Sequence, residues 1–276
     1  MIRERFAPSP TGYLHLGHAF SALTAFEAAA GGQFLLRIED IDGPRSKPEF
    51  EKAIFEDLAW LGLHWETPVM RQSDRMADYQ NALAQLVEMD LCYPCSCTRK
   101  DIEAALSAPQ EGAGMGPDGV IYPGTCRHRS MASFQAGDAV RLDMEKATQH
   151  VGSLQYVEIG DATARHRIEG RDMVAGIGDI VLARKDIGTS YHLAVVVDDA
   201  AQQISHVTRG ADMATATPIH VLLQQLLELP APIYRHHRLI RDENGKRLAK
   251  RHDALAIRSL RDQGLGVSDI RAMVGL

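Results

Sequence analysis

The sequence predicts an α/β fold built on a doubly wound parallel sheet. Three observations carry this reading. Residues 3–38 read as strand, turn, helix and strand within about 35 residues, the spacing of a βαβ unit. Gln33-Phe34-Leu35-Leu36-Arg37-Ile38 has the apolar run of a buried strand. Val195-Val196-Val197, inside Ser190 to Asp199, reads as a further strand buried on both faces.

The elements follow in chain order. Pro8 and Pro10 forbid a helix up to Thr11. From Ala19 the apolar residues fall at Phe20, Leu23, Phe26 and Ala30, the period of an amphipathic helix that Gly31-Gly32 ends. Pro48 to Leu61 sets Phe50, Ile54, Leu58 and Leu61 on one helical face, closed by Gly62, and Ser73 to Met89 does the same with Met76, Tyr79, Leu83 and Leu86. Both stripes are core. Short strands are expected at Ala139–Leu142, Leu154–Ile159 and Gly178–Leu182, and a further strand and turn over Ile204–Asp212. Thr217 caps a helix with Pro218 at its first position, running through Ile219, Leu222, Leu223, Leu226 and Leu227. Arg238–Arg241 reads as a short strand into the turn Asp242–Gly245. Asp253 to Leu276 fits two short helices broken at Gly264 and Gly266.

At 276 residues the chain has room for one large domain or two small ones, and with 45% hydrophobic and 24% charged residues it has the balance of a soluble globular protein. No apolar run approaches the ~20 residues of a membrane helix. Met1-Ile2-Arg3-Glu4-Arg5 leads straight into the first strand, with no leader pattern, so a cytoplasmic protein is expected. The net charge of −6 confines any nucleic-acid contact to local patches, chiefly Arg235-His236-His237-Arg238 with Arg241, and Lys246-Arg247 with Lys250-Arg251-His252. Four cysteines in such a chain suggest a metal or free thiols rather than disulfides.

Three stretches carry chemistry. Arg5-Phe6-Ala7-Pro8-Ser9-Pro10-Thr11-Gly12-Tyr13-Leu14-His15-Leu16-Gly17-His18 places His15, Gly17 and His18 at the start of the first helix, where free backbone N–H groups and imidazoles suit an anion. Arg37-Ile38-Glu39-Asp40-Ile41-Asp42 lies at the carboxyl end of the second strand, the edge at which open α/β sheets bind ligands; alone, its carboxylates would equally fit a solvated cluster or a helix cap. Cys95-Ser96-Cys97, a Gly/Pro-rich spacer and Cys126 have zinc-like spacing, with Cys92, Tyr122 or His128 as the open choice for a fourth ligand.

The first stretch resembles the HIGH signature of class I aminoacyl-tRNA synthetases, and RFAPSPTG narrows the resemblance to the glutamyl branch. RIED-x-D, Tyr191-x-x-Ala194-Val195-Val196-Val197-Asp198-Asp199 and Val207-x-Arg209-Gly210-x-Asp212 are similar to further landmarks of that branch, and Arg247-Leu248-Ala249-Lys250-Arg251 resembles its KMSKS loop. Arginine for the first lysine and alanine for the serine depart from that loop; Lys250 keeps the second lysine. The resemblance implies a Rossmann-type class I synthetase catalytic domain. It implies ATP bound by His15, Gly17, His18 and Lys250, with Mg²⁺, and His15, His18 and Lys250 as the catalytic set. It implies glutamate bound by Arg5, Ser9, Glu39, Tyr191 and Arg209, a charge balance that suits two carboxylates and one ammonium.

Truncated paralogues with this layout are the glutamyl-Q tRNA(Asp) synthetases, and resemblance to their C-x-C and Y-x-x-x-C pattern implies Cys95, Cys97, Tyr122 and Cys126 as the ligands of one structural zinc. The expected organisation is a discontinuous catalytic domain (1–90 and 178–230), an inserted zinc-containing subdomain (91–177), and a KMSKS-like loop with a short helical tail (231–276). About 25 residues follow that loop, too few for an anticodon-binding domain. The resemblance thus implies transfer of glutamate to queuosine at the wobble position of tRNA(Asp), with glutamate, ATP and that tRNA as partners, no membrane, and a monomer. A glutamyl-tRNA synthetase lacking an anticodon domain and a non-catalytic RNA-binding paralogue are the alternatives.

Overall fold

The computed structural model describes residues 1–106, 114–240 and 256–276. The chain begins with β1 (Arg3–Phe6), α1 (Leu16–Ala28) and β2 (Gln33–Ile38), with β1 and β2 paired in parallel. α2 (Pro48–Trp60) opens on Pro48, whose missing N–H is no loss in a first turn. β3 (Glu66–Arg71) joins β2 in parallel, and α3 (Met76–Glu88) buries Tyr79, Ala82 and Leu86.

β4 (Cys92–Cys95) opens a second unit. After α4 (Arg99–Leu106) come the two-residue strands β5 (Met115–Gly116) and β6 (Gly119–Val120), which form a small hairpin. β7 (Ala139–Leu142) pairs antiparallel with β4. α5 (Met144–Val151) is capped by the Asp143 carboxylate, which accepts from the Lys146 N–H. β8 (Leu154–Ile159) and β9 (Thr163–Ile168) form a hairpin, followed by α6 (Gly170–Gly176) and β10 (Val181–Ala183).

α7 (Tyr191–Ala201), β11 (His206–Gly210), α8 (Thr217–Leu226) and β12 (Ile233–His237) return to the parallel layer, and α9 (Ile257–Asp262) and α10 (Val267–Val274) close the chain. β11 pairs in parallel with β12, which continues to β8. The expected boundary at 177/178 is crossed by sheet pairing: β10 hydrogen-bonds to β7, and β8 to β12.

β11 runs beside β1, and the joint is made largely by side chains. Arg3 donates its N–H to the Ser205 hydroxyl (2.8 Å), and the buried Glu4 carboxylate accepts from the Thr208 N–H and hydroxyl (3.2 and 2.7 Å). Carboxylate oxygens thereby satisfy a backbone N–H that no ladder reaches. Two large cores flank the layer. The first surrounds α1 and includes Ile257, Leu260, Ile270 and Val274 from the tail; the second gathers α3, α5, α7 and α8. Among the described residues no helix is long and apolar enough to cross a membrane.

Three sequence expectations are corrected. Ser190–Asp199 is helix α7, not a strand. Ser190 caps it, its hydroxyl accepting from the Leu193 N–H, and the helix is buried nearly all round, so its apolar run carries no period that separates helix from strand. Thr217 is the first residue of α8 rather than its cap; its hydroxyl serves Arg209 instead, accepting at 2.8 Å. The strand expected at Arg238–Arg241 is β12, which lies earlier and ends at His237.

Asp57 on α2 is buried, with one oxygen unpartnered and Arg261 3.8 Å from the other. Burial, offset in part by Arg261 and Arg258, pushes its carboxyl up to about 6. An acid raised on folding is fully stabilising only below its unfolded value and weakens the fold as pH rises through the folded one. Asp57→Asn is therefore expected to match the parent near pH 4 and to exceed it by about 2 kcal/mol above pH 7. Urea unfolding at both pH values measures this; a gain of equal size at pH 4 would rule out ionisation as its source.

Candidate active site

Sequence and topology bring the expected residues to one edge. Ser9 follows β1, Glu39 follows β2, Arg209 lies at the end of β11, and Tyr191 starts α7. The extended 8–10 segment is strapped down by backbone bonds, Glu39 N–H to the Pro8 carbonyl (3.0 Å) and Lys47 N–H to the Pro10 carbonyl (2.9 Å). Ser9, Thr11, Glu39, Gln72, Arg184 and Tyr191 are among the residues that line a cavity of about 270 Å³.

Behind this cavity lies a buried ionic network. Asp199 Oδ1 accepts from Arg5 Nε (3.1 Å) and from an Arg37 terminal nitrogen (2.6 Å), and the other terminal nitrogen of Arg37 reaches Glu39 at 3.2 Å. Burial alone would raise the Asp199 carboxyl, but Arg5 and Arg37 draw it below the ordinary aspartate value. Burial raises the Glu39 carboxyl despite the same two arginines. Asp198, one residue earlier, accepts from Gln72, Arg75 and Tyr79. Asp40 and Asp42 are structural: Asp40 caps Ser73 through both oxygens, and Asp42 pairs with Arg45. Of the three acids after β2, Glu39 alone is tied to the buried network.

Tyr191 lies within the electrostatic reach of Glu39, Arg209, Arg5 and Asp199; burial and the two acids raise its phenol, and the two arginines oppose that. Arg5, Glu39, Tyr191 and Arg209 therefore share one neighbourhood, and Ser9 joins Glu39 and Tyr191 at the cavity wall.

Arg209 is held differently from Arg5. It is 7% exposed, and its partners among the described residues are neutral. One terminal nitrogen donates to His220 Nδ1 (2.9 Å), the other to the Thr217 hydroxyl (2.8 Å), and Nε lies 3.4 Å from His236 Nε2. Burial, then the adjacent Arg209 cation, holds His220 well below the usual histidine range. Burial also lowers His236, although Glu158 accepts from its Nδ1 at 2.7 Å and opposes the shift. Buried charges are ordinarily paired, yet among the described residues none of the hydrogen-bond partners of this guanidinium is an anion.

His15 caps α1, and the expected anion cradle is rearranged. The Gly17 N–H is taken by His15 Nδ1 (3.1 Å), the His15 N–H by His18 Nδ1 (3.2 Å), and the His18 N–H by the His15 carbonyl (2.8 Å). The two rings lie face to face but tilted by 30°, with centroids 3.8 Å apart. Because each Nδ1 accepts, each neutral ring carries its proton on Nε2. The backbone N–H groups of His15, Gly17 and His18 are thus taken within the motif itself. Gly17 fits this packing, since a Cβ there would come within 3.0 Å of the His15 ring. Lys250 lies outside the described residues, as do Arg247 and Ala249.

Cys95, Cys97 and Cys126 bring their sulfurs within 4.8 Å of one another, a cluster able to hold a metal ion. The Tyr122 oxygen lies 3.4 Å from the sulfurs of both Cys95 and Cys97 and accepts the Cys126 N–H at 2.8 Å. Tetrahedral zinc with Zn–S near 2.3 Å sets ligand edges of about 3.8 Å, so the donor set fits. Cys92 faces the other way. It packs in the second core, and burial pushes its thiol up to about 12. His128 is not part of the cluster.

Sequence reasoning missed Arg37 and Asp199 as the anchor of Arg5, and His192, His220 and His236 around Arg209. A helical reading of 191–201 would have set Asp199 eight residues from Tyr191, on the same helical stripe, which was the available signal for Asp199.

The family model for tRNA synthetases class I (E and Q), catalytic domain, matches residues 1–274. The chain is 53% identical to a Rhodobacter capsulatus protein named glutamyl-Q tRNA(Asp) synthetase, over 99% of each chain. It is 40% identical to a protein of the same name from Albidiferax ferrireducens, over 92% of this chain and 85% of that one. Among solved structures it resembles a glutamate tRNA ligase from Elizabethkingia meningosepticum in complex with its amino acid, with a TM-score of 0.71 and 28% identity over 96% of this chain. It spans 53% of that ligase, about half its length.

Proposed function

Since this chain belongs to the class I tRNA synthetases of the E and Q catalytic-domain family, we infer that it activates L-glutamate with ATP and transfers it to queuosine at the wobble position of tRNA(Asp). The observation that carries the amino-acid reading is Glu39 and Tyr191 on one cavity wall, with Arg5 joined to Glu39 through Asp199 and Arg37, and Arg209 joined to Tyr191 through His220. Glutamate brings two carboxylates and an ammonium, the complement of two guanidinium groups and one carboxylate. Relatives of matching length that carry this name support the acceptor.

The chemistry is in-line attack of the glutamate α-carboxylate on the α-phosphorus of ATP, with pyrophosphate leaving and Mg²⁺ accompanying the nucleotide. The protein contributes position and charge. Glu39 receives the ammonium, and Arg5, made rigid by Asp199, and Arg209 receive the carboxylates. His15 and His18 meet the phosphate oxygens, and Lys250 adds its cation. A hydroxyl of the queuosine cyclopentenediol then attacks the adenylate carbonyl and AMP leaves.

The test supplies ATP, Mg²⁺ and labelled glutamate with tRNA(Asp) carrying or lacking queuosine, and with tRNA(Glu). Label on queuosine-containing tRNA(Asp) alone is expected. Label on tRNA(Glu) would replace this reading with a charging enzyme, and absence of both label and pyrophosphate exchange would leave a binding protein.

A structural zinc on Cys95, Cys97, Tyr122 and Cys126 is part of the same proposal, supported by the clustered sulfurs. Metal analysis is expected to find one zinc per chain. Cys97→Ser is expected to lose most of it and to lower the melting temperature by about 5 °C or more. Metal-free parent protein with the same melting temperature would remove zinc from the account.

A further inference from the structure

Arg209 is the near end of a hydrogen-bond chain that reaches the β5–β6 hairpin. His220 Nδ1 accepts a hydrogen bond from an Arg209 terminal N–H at 2.9 Å, His220 Nε2 lies 3.0 Å from His192 Nδ1, and His192 Nε2 lies 2.9 and 3.0 Å from the two oxygens of Asp118. His220 and His192 are buried on α8 and α7, whereas the Asp118 side chain is about half exposed on the hairpin. The four residues stand at 118, 192, 209 and 220, so no local motif unites them.

The polarity of the chain follows from its first link. A guanidinium can only donate, so His220 Nδ1 must accept. A neutral His220 then carries its proton on Nε2 and donates it to His192 Nδ1. His192 in turn carries its proton on Nε2 and donates to the carboxylate of Asp118, which only accepts when ionised. The opposite tautomer at either ring would set two donors or two lone pairs face to face.

We propose that His220, His192 and Asp118 are positioning residues for amino-acid recognition: they fix the tautomer and place of the acceptor that aims the Arg209 fork at a substrate carboxylate. This rests on the glutamate reading above. A buried guanidinium loosened by one hydrogen bond would still be cationic, but its donors would no longer be set for a planar carboxylate.

The experiment is glutamate-dependent ATP–pyrophosphate exchange with the full-length enzyme, comparing Asp118→Ala, Asp118→Asn, His220→Leu and His220→Asn. Loss of a hydrogen bond to a charged group predicts that His220→Leu raises KM for glutamate by ~10- to 100-fold. Asp118→Ala, at the half-exposed end, is expected to raise it by roughly threefold to tenfold. His220→Asn, which keeps an oxygen near the Nδ1 position, and Asp118→Asn, which keeps an acceptor, should each recover most of the loss. KM for ATP should stay within about twofold throughout, since the chain serves the amino acid. A merely structural role would lower the active fraction, and so kcat, with both KM values unmoved. Nitrogen-15 NMR of the parent imidazoles is a second readout that needs no variant, and both rings should be protonated on Nε2.

Unchanged KM for glutamate in Asp118→Ala, in an enzyme whose parent exchanges with glutamate, would overturn the relay alone. Protonation of either ring on Nδ1 would do the same. A parent enzyme without glutamate-dependent exchange would sink the glutamate reading and this proposal with it.

Discussion

Asp199→Ala is expected to lose about 3–5 kcal/mol of folding stability, the usual result of stripping the partner from a buried charge. Arg5 is 4% exposed and Arg37 fully buried, and one Asp199 oxygen accepts from both. Alanine leaves two guanidinium groups in the protein interior with one fewer acceptor between them. Arg37 retains Gln202 and Glu39, so the damage spreads to Glu39, which Arg37 would hold more tightly while Arg5 loses its fixed bond. Asp199→Asn keeps an acceptor oxygen and forfeits only the charge, and is expected to lose roughly half as much. Urea unfolding, read with the slope held against the parent, measures both. A loss below about 1 kcal/mol for the alanine variant would show that Arg5 and Arg37 find solvent or another partner, against the burial described above.

The second large effect is on activity. Arg209→Lys is expected to lower kcat/KM for glutamate by about a hundredfold, with KM for ATP nearly unchanged. The guanidinium is gripped from behind by His220, Thr217 and His236. Lysine keeps the charge but has a single nitrogen, so it cannot hold those acceptors and present a planar pair of donors together. Pyrophosphate exchange at varied glutamate and fixed ATP measures it. A lysine enzyme within fivefold of the parent would mean that charge alone suffices at this position.

What was legible in the sequence was what is local. The proline-bounded entry to α1, the strand Gln33–Ile38, and the thiols of Cys95, Cys97 and Cys126 each declare themselves within a short window. Tyr122, four residues before Cys126, was reachable through the resemblance, and its oxygen lies among the sulfurs. Less legible was anything set by burial. Val195 and its neighbours are apolar because α7 is covered on nearly every side, and β-branched residues in such a place do not reveal whether the backbone is helical. Nor does a sequence say which donors a histidine consumes. His15 and His18 stand where the motif puts them, yet their Nδ1 atoms take the N–H groups that a free helix start would have offered to an anion. The relay from Arg209 to Asp118 was hidden for a different reason, because its members come together only through tertiary packing.

The contact between the two ends of the chain bears on how the protein is made. Ile257 donates its N–H to the Leu14 carbonyl at 2.8 Å, and Ile257, Leu260, Ile270 and Val274 complete the core around α1. Leu14 leaves the ribosome some 240 positions before its partner. Until then the part of α1 that Ile257, Leu260, Ile270 and Val274 cover waits bare, and the segment bearing His15 and His18 lacks its bond to Ile257. A separation this long makes for slow closure and a long exposure to aggregation. A nascent chain arrested before residue 257 should accordingly expose that part of α1 to chaperones, and emergence of residues 257–274 should be the event that ends it.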